Sequence, residues 1–459
     1  MQGLLPWSAF LADAGPGEHL YDRQLASWME GRWDLPTDGG ERWLVDGRFY
    51  LYFGPLPVLL RVPFADWVLA NLRKSASIST TAGALLVFGA ALALTRRVLG
   101  RDPPRWFAVA LTAPVLLIAS RTAIYHEAIV WGASLALLAT LAFLRYLNRP
   151  SLCLLVALIA CGLLAVHARA LWLPAMTLLM SLVGFAGWLA RSATPRDVEL
   201  RGSLGLPAPA RPGTHLLAAA AGAFLLVASV PGVNFLKCGH WVFELPLAAQ
   251  ARFRADPARL ADVAGRQFHI VNVPTTAWAY FSPSSIEYRS SFPWIRPLGL
   301  VRLLPAARIT DQDSMLSLWH VMGALLFLTC RTIARARRDP SARGPALVVV
   351  ALLLSPLALL FFIAICGRYL FDFYPALVLG GALGLRSTAE RRRVWPLALL
   401  ATYNLVAATS VALADQQRRG RFGHDRQVST WGQAVDRALG VDDGRVVEPA
   451  APTTTKPAE

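Results

Sequence analysis

The chain has 459 residues, of which 55% are apolar and only 16% charged, and its mean hydropathy is +0.44. Soluble globular proteins of this length rarely have that balance. The apolar residues fall in repeated runs of roughly 17–23 residues, and each run can cross a hydrocarbon core of about 30 Å as a helix. These features exclude the soluble classes and predict an all-α polytopic membrane protein.

The net charge of +16 does not indicate a nucleic-acid partner, because the arginines gather in short connections between apolar runs, where they set membrane topology. The five cysteines form no CxxC pair, so neither a disulfide framework nor a zinc site is expected. No P-loop, GxSxG or HExxH motif occurs in a credible context. This argues against nucleotide-driven transport, an α/β-hydrolase and a zincin.

In chain order, the apolar pattern predicts five regions. Residues 1–77 form an outer-face loop with interfacial helices, 78–233 and 314–414 hold about ten transmembrane helices, 234–313 form a second outer loop, and 415–459 form a tail that is disordered at its end. The predicted spans are 78–99, 106–121, 125–147, 151–167, 171–190, 215–233, 314–331, 345–366, 368–386 and 394–414.

The arginines set the predicted orientation. Nineteen lie in the connections on one side of the spans, against Arg121, Arg169 and Arg368 in the short connections opposite. By the positive-inside rule the rich side is cytoplasmic, which places residues 1–77 and 234–310 outside. The richness in Arg, Ala and Leu is typical of a high-GC bacterial genome, so we expect a multi-pass protein of the bacterial cytoplasmic (inner) membrane.

Both ends of the chain fit this orientation poorly. The apolar stretch at residues 4–12 is too short to span and lacks the charged n-region of a signal peptide. We therefore expect that a first transmembrane helix is missing from the sequence as given, unaided translocation being the alternative. The tail would also lie outside, yet it opens with four arginines between 418 and 426. The side of the tail is left open.

Acidic and aromatic residues gather in the first outer loop, between residues 17 and 50. Leu20, Leu25 and Trp28 recur at helical spacing, which predicts an amphipathic helix over 19–31 on the membrane surface. Asp22 is expected on its polar side, with Glu18 just before it. An ordinary solvated helix face is the alternative interpretation of each carboxylate.

Residues 50–74 are apolar but carry three prolines together with Arg61 and Asp66. A charge at the centre of a span costs roughly 2.5–3.5 kcal/mol, so this segment is not predicted to cross the membrane. We expect a second interfacial helix that begins after Gly54-Pro55.

Two later connections also carry polar groups on the predicted outer side. His126-Glu127, at the mouth of the third span, could bind a metal, carry a proton or hydrogen-bond a sugar; simple solvation or the helix dipole is the alternative for Glu127. Arg368 offers a bidentate fork to a phosphate, and Asp372 is expected to hold it in place. Tyr369 is either a substrate contact or an anchor in the aromatic belt.

Four stretches resemble the glycosyltransferase C superfamily, and in particular bacterial polytopic polyprenyl-phosphate-sugar-dependent enzymes of the family 39 type. They are HLYDRQLASWMEGRWDLP, VDGRFYLYFGPLPVLLRVP, RTAIYHEAIVWG and RYLFDFYP. The chain departs from the pattern in lacking the first span and the adjacent acidic pair that follows it, and in having Gly-Pro-Leu-Pro in place of a double proline.

The resemblance implies a membrane enzyme that moves a hexosyl or pentosyl group, with inversion, from a polyprenyl-phosphate donor to a glycan, lipid or protein acceptor on the outer face. It implies that Asp22, or else Glu18, is the catalytic base and that Arg368 binds the phosphate. Substrate or a metal would be bound by Glu127, His126, Tyr369 and Asp372. If the enzyme uses a metal, the resemblance implies Mg or Mn. Two alternatives stay open, namely a transporter of lipid-linked sugar or polymer and an inactive membrane protein of the same fold.

Overall fold

The computed structural model describes residues 19–36, 42–72, 74–120, 123–192, 194–284, 286–288, 294–297, 303–313, 315–388 and 395–418. Within these ranges the prediction of an all-α polytopic membrane protein is confirmed, because helices dominate and the strands form three small two-stranded pairings. Glu18, Arg121 and the tail beyond residue 418 lie outside the described residues.

The chain begins with a helix and a hairpin. Helix α1 (Leu20–Met29) lies within the predicted 19–31 helix and buries Leu20 and Leu25. Strands β1 (Arg42–Val45) and β2 (Arg48–Leu51) pair antiparallel around Asp46-Gly47, both of which have positive φ angles of 49° and 76°. Such a two-residue turn matches the twist of a hairpin and favours Asp-Gly.

The single interfacial helix predicted after Gly54-Pro55 is not observed. The segment instead forms α2 (Leu56–Leu59), a 3-10 turn (Val62–Phe64) and α3 (Ala65–Ala70). Pro57 and Pro63 stand at the start of the first two pieces, where a missing N–H costs least. The prolines therefore break the expected helix and turn Arg61 towards the protein interior.

The first six spans follow. They are α4 (Lys74–Leu99), α5 (Arg105–Ala119), α6 (Ile124–Asn148), α7 (Leu152–Ala168), α8 (Leu173–Ser192) and, after the short helix α9 (Pro195–Ser203), α10 (Pro212–Cys238). Helix α4 packs against α6, α6 against α7, and α8 against α10.

The second loop holds α11 (Ala251–Arg254), α12 (Pro257–Asp262), α13 (Val273–Phe281), and the antiparallel strands β3 (Ile286–Tyr288) and β4 (Ile295–Pro297). Strand β5 (Asp311–Gln312) pairs in parallel with β6 (Ala364–Ile365), far along the chain. Trp43 of β1 also bridges to Gln250. Three distant segments of chain therefore meet at one end of the helix bundle, which we call the loop end.

The last four helices in the regions of predicted spans are α14 (Leu318–Ala336), α15 (Arg343–Leu357), α16 (Tyr374–Thr388) and α17 (Trp395–Arg418), with β6 lying between α15 and α16. Each of the ten predicted spans thus overlaps a helix, but the spans 345–366 and 368–386 also cover the 3-10 turns and the strand between α15 and α16. Among the described residues, six helices are long and apolar enough to cross a membrane, and α5 and α7 are shorter apolar helices.

Glycines bring α14 and α16 into close contact. A Cβ on Gly384 would lie 2.4 Å from the Leu328 carbonyl oxygen, and one on Gly380 would lie 2.6 Å from the Thr329 side chain. The Thr332 hydroxyl donates to the Gly380 carbonyl at 2.7 Å across the same contact. Small residues four apart allow backbones to approach in membrane helices, where water supplies no hydrophobic drive.

Candidate functional site

Asp22, Arg61 and Glu127 form a buried cluster at the loop end, which we call the acid centre. Arg61 Nε donates to Asp22 Oδ1 at 2.8 Å. Its two Nη atoms donate to the two carboxylate oxygens of Glu127 at 2.5 and 3.0 Å. The exposed fractions are 0% for Asp22, 4% for Arg61 and 1% for Glu127, so water does not reach this pairing.

Further oxygens complete the shell around the acid centre. Ser75 and Ser79, one turn apart on α4, donate their hydroxyls to Asp22 and Glu127 respectively. The Pro57 carbonyl accepts from Arg61 Nη1 at 2.7 Å. Four segments of chain are thus held together by one arginine.

Local charge keeps Arg61 ionised. Burial lowers the pKa of the guanidinium, but the carboxylates of Glu127 and Asp22 together raise it further, so that the pKa of Arg61 lies above its ordinary value. Each carboxylate also stands in the first turn of a helix, α1 or α6, where the helix dipole favours negative charge. For Asp22 the alternative of an ordinary solvated helix face is therefore wrong, because this side of α1 faces Arg61 and not solvent.

A cavity of about 610 Å³ opens beside this cluster, and we call it the loop-end cavity. Its walls come from the hairpin, the α7–α8 turn, α10, the second loop and the turn before α16. They combine basic with aromatic side chains: His167, Arg169, Lys237 and Arg368 with Trp43, Tyr52, Tyr125 and Tyr369. Glu244, Asp311 and Asp313 also line it.

Arg368, the predicted phosphate ligand, lies in the wall of this cavity. Its guanidinium carbon lies 4.2 Å from the Tyr125 ring centroid and 5.2 Å from that of Tyr369. Nη1 donates to Asp313 at 2.8 Å, while Nε has no hydrogen-bond partner among the described residues. The Arg368 side chain is 12% exposed, whereas that of Asp313 is 41% exposed, so water already reaches the carboxylate that binds Arg368.

The expectation that Asp372 holds Arg368 is wrong. The carboxylate of Asp372 instead binds Arg169 in a fork of 2.7 and 2.6 Å, although 203 residues separate the two. Asp372 is fully buried and Arg169 is 12% exposed towards the cavity. Arg169 also lies 5.1 Å from the Tyr369 ring centroid, so this pair fixes the turn that carries Arg368.

Lys237 is a second basic group whose placement the sequence did not indicate. It lies on α10, is 7% exposed, and donates from Nζ to the carbonyls of Leu51 and Phe53 at 3.1 and 2.6 Å. Gly54 follows directly, and a Cβ there would lie 1.9 Å from the His167 carbonyl oxygen. The hairpin end is therefore pressed against α7 with the lysine beside it.

An aromatic partition separates the acid centre from the cavity. The Phe53 ring lies 6.2 Å from that of Tyr21 and 5.0 Å from that of Tyr125, and the Tyr21 ring lies 5.5 Å from the guanidinium carbon of Arg61. Neither Asp22 nor Glu127 lines the cavity. The structure thus brings the predicted residues into two neighbouring groups, with Asp22 and Glu127 in one and Arg368 and Tyr369 in the other.

The donor set suits a guanidinium better than a divalent ion. Of the predicted metal ligands, Glu127 has both oxygens on Arg61, and His126 is 5% exposed on α6. Within the described ranges, no three His, Cys, Asp or Glu residues are grouped so as to hold a metal. The predicted Mg or Mn stays a prediction.

Sequence reasoning missed Arg61, Arg169 and Lys237 as site residues. Each was visible as a charge beside or within an apolar run, which is costly unless a partner is present. Arg61 served only to exclude a span, whereas Arg169 was placed in an outer turn with an interfacial role as the favoured interpretation. Lys237 is one of three lysines in the chain and the only one near an outer loop after the first span.

No protein-family model matches the chain, and no curated protein matches it. Among solved structures, it is similar to the Archaeoglobus fulgidus oligosaccharyltransferase in the apo form, with a TM-score of 0.44 and 12% identity over 99% of this chain and 59% of that chain. It is also similar to the archaeal oligosaccharyltransferase AglB from Archaeoglobus fulgidus in complex with an inhibitory peptide and a dolichol-phosphate, with a TM-score of 0.44 and 12% identity over 98% and 57%. The chain thus spans less than two thirds of either length, and likeness at this level assigns neither a family nor an activity.

Proposed function

We propose that this protein is a membrane glycosyltransferase of the glycosyltransferase C type, which moves a hexosyl or pentosyl group from a polyprenyl-phosphate donor to a hydroxyl of a glycan, lipid or protein. The observation that carries the proposal is the wall of the loop-end cavity, where Arg368 stacks on Tyr125 beside Tyr369. Arginine forms strong charge-assisted hydrogen bonds to a phosphate, and aromatic rings suit the faces of a sugar.

The basic groups of the cavity would act on the leaving group. As the bond between the anomeric carbon and the phosphate breaks, negative charge grows on the phosphate oxygen. Arg368 and Lys237, which both line the cavity, would stabilise that charge. Arg169 would position Arg368 through Tyr369, with Asp372 holding Arg169 in turn.

The base would be Asp22, with Glu18 as the alternative from the sequence. A base must come within hydrogen-bond reach of the hydroxyl that it deprotonates. Because Asp22 is sealed behind Tyr21 and Phe53, this role requires the aromatic partition to open when donor and acceptor bind. Glu127 and His126 would then border the reacting groups.

The location belongs to the same proposal. We propose that the loop end lies on the outer face of a bacterial cytoplasmic membrane, and the positive-inside count supports this side. A polyprenyl-phosphate sugar supplies its own activated bond, so no nucleotide is required at that face.

The test is sugar transfer by the purified full chain in liposomes that contain a radiolabelled polyprenyl-phosphate sugar and a panel of acceptors. Wild type should form a new glycosidic bond, and Arg368→Ala should lose at least about 100-fold of the rate because the leaving group loses its cation. The matched control is Arg335→Ala, since Arg335 pairs with Asp339 near the far end of α14.

Three outcomes would count against the proposed function, its site or its assay. Full activity of Arg368→Ala would show that Arg368 does not bind the phosphate of the donor. Equal losses in Arg335→Ala would show that the assay reports folding. Movement of intact lipid-linked sugar across the liposome without a new bond would identify a transporter.

A further inference from the structure

Five oxygen atoms face the guanidinium of Arg61 within hydrogen-bond distance. Asp22 supplies one, Glu127 supplies two, and the Ser75 hydroxyl and the Pro57 carbonyl supply one each. Ser79 stands behind Glu127 as a further hydroxyl donor. This is an oxygen shell built around one positive charge, and its members come from α1, α2, α4 and α6.

The same oxygen types would hold a hard divalent cation. Mn²⁺ and Mg²⁺ take carboxylate, carbonyl and hydroxyl or water oxygens, and two carboxylates are a usual charge complement for them. Here the two carboxylates carry a charge of −2 against +1 on Arg61. Arg61 meets both carboxylates with charge-assisted hydrogen bonds, so it supplies the positive charge that a divalent cation would otherwise bring.

We infer that Arg61 is a built-in cation that stands where a divalent metal would otherwise bridge Asp22 and Glu127. The wild-type acid centre does not take up a divalent metal, because each Glu127 oxygen and one Asp22 oxygen already bind guanidinium hydrogens. Removal of the guanidinium leaves two buried carboxylates with no cation between them and space that a metal with its waters can fill. The arginine thus blocks a latent metal site.

The experiment measures metal binding and does not depend on sugar transfer. Purified full-length protein in detergent is titrated with Mn²⁺, and free Mn²⁺ is followed by its electron paramagnetic resonance signal. A second titration uses Tb³⁺, whose luminescence nearby aromatic rings sensitise. The Tyr21 ring centroid lies 5.5 Å from the guanidinium carbon of Arg61, and the indole N–H of Trp131 donates to Ser79 at 3.0 Å. A Tb³⁺ ion in the place of the guanidinium would therefore have two aromatic rings near enough to sensitise its luminescence.

Arg61→Ala should bind one Mn²⁺ at least about tenfold more tightly than wild type, and the double variant Arg61→Ala, Glu127→Gln should lose that gain because it lacks a ligand. The matched control is Arg169→Ala, which removes another arginine that forks onto a carboxylate but frees only the single carboxylate of Asp372. It should gain no Mn²⁺ site. Mn²⁺ should also raise the Tm of Arg61→Ala and leave that of wild type unchanged.

Several results would overturn the inference. Tight Mn²⁺ binding by wild type that Glu127→Gln abolishes would show that Arg61 blocks nothing. A folded Arg61→Ala that binds no more Mn²⁺ than Arg169→Ala would show that no latent site exists. If Arg61→Ala does not accumulate, Mn²⁺ in the growth medium should restore its abundance and that of Arg61→Gln. Failure to restore either variant would count against the inference in the same way.

Discussion

The acid centre and the loop-end cavity both pair arginines with carboxylates, yet they leave those arginines in different states. In the acid centre, Arg61 makes five contacts to oxygen atoms, and its two carboxylate partners are at most 1% exposed. In the cavity, Arg368 has one ionic partner that is 41% exposed and keeps a nitrogen unbonded among the described residues.

This contrast separates two uses of the same chemistry. A buried pair that is complete gains little from a new ligand, because the ligand has to break bonds that are already short and shielded from water. A partly satisfied arginine at a cavity wall exchanges a solvated carboxylate for a phosphate at small cost. The acid centre is thus built to stay together, whereas the Arg368 side of the cavity is built to exchange partners.

The largest effect is expected on stability, when the acid centre is disrupted by removal of Arg61. Arg61→Ala in metal-free buffer should lower the free energy of unfolding by about 3–5 kcal/mol, since it removes the cation that both buried carboxylates bind. Thermal unfolding in detergent with a chelator measures it. The control is Arg32→Ala, which removes exposed pairs with Glu30 and Asp34 and should leave the Tm unchanged. A similar Tm loss in both variants would contradict the contrast.

The next largest effect is expected on the rate of sugar transfer, and it tests whether the acid centre also takes part in catalysis. Asp22→Asn keeps the shape and the hydrogen bond from Ser75 but removes the base, so sugar transfer should fall by at least about 100-fold while membrane abundance is kept. Initial rates at saturating donor measure it. A fully active Asp22→Asn would make the acid centre purely structural and would move the base to a carboxylate that lines the cavity.

A smaller effect is expected on the KM for the donor, and it tests whether the hairpin end shapes the cavity wall. Gly54→Ala places a Cβ 1.9 Å from the His167 carbonyl oxygen, so the hairpin end and Lys237 have to shift. The KM for the donor should rise several-fold, by analogy with overpacking costs of about 1–3 kcal/mol. Gly89→Ala, on α4, meets nothing within 4 Å and serves as the control. An unchanged KM in Gly54→Ala would show that the hairpin end does not shape the donor site.

The smallest effect is expected on the affinity for the donor, when Arg368 loses its pairing with Asp313. Asp313→Asn removes the solvated carboxylate that competes with a phosphate, so the donor should bind a few-fold more tightly, in line with the roughly 0–1 kcal/mol of a solvent-exposed ion pair. Donor affinity measured by competition with the unlabelled lipid phosphate tests it. Weaker binding would mean that Asp313 orients Arg368 and does not compete for it.

The spans could be predicted from the sequence because a run of apolar residues is a local property. The 19–31 helix could be predicted for the same reason, whereas the expected second interfacial helix could not survive the prolines at 57 and 63. The ion pairs could not be predicted, because their members are far apart in the sequence and meet only in the folded chain. Arg61 and Glu127 are 66 residues apart, and Arg169 and Asp372 are 203 residues apart. Each candidate carboxylate was visible, but its partner depended on how the loops meet.

The first turn of α6 carries one residue for each region: Tyr125 lines the cavity under Arg368, and Glu127 binds Arg61. Residues two apart on a helix face different directions, so a single rigid turn reaches both regions at once. A rotation of that turn cannot displace one contact without the other. By thermodynamic reciprocity, a ligand that shifts Tyr125 changes the strength of the Glu127 pairing, and loosening that pairing changes the affinity for the ligand by the same factor.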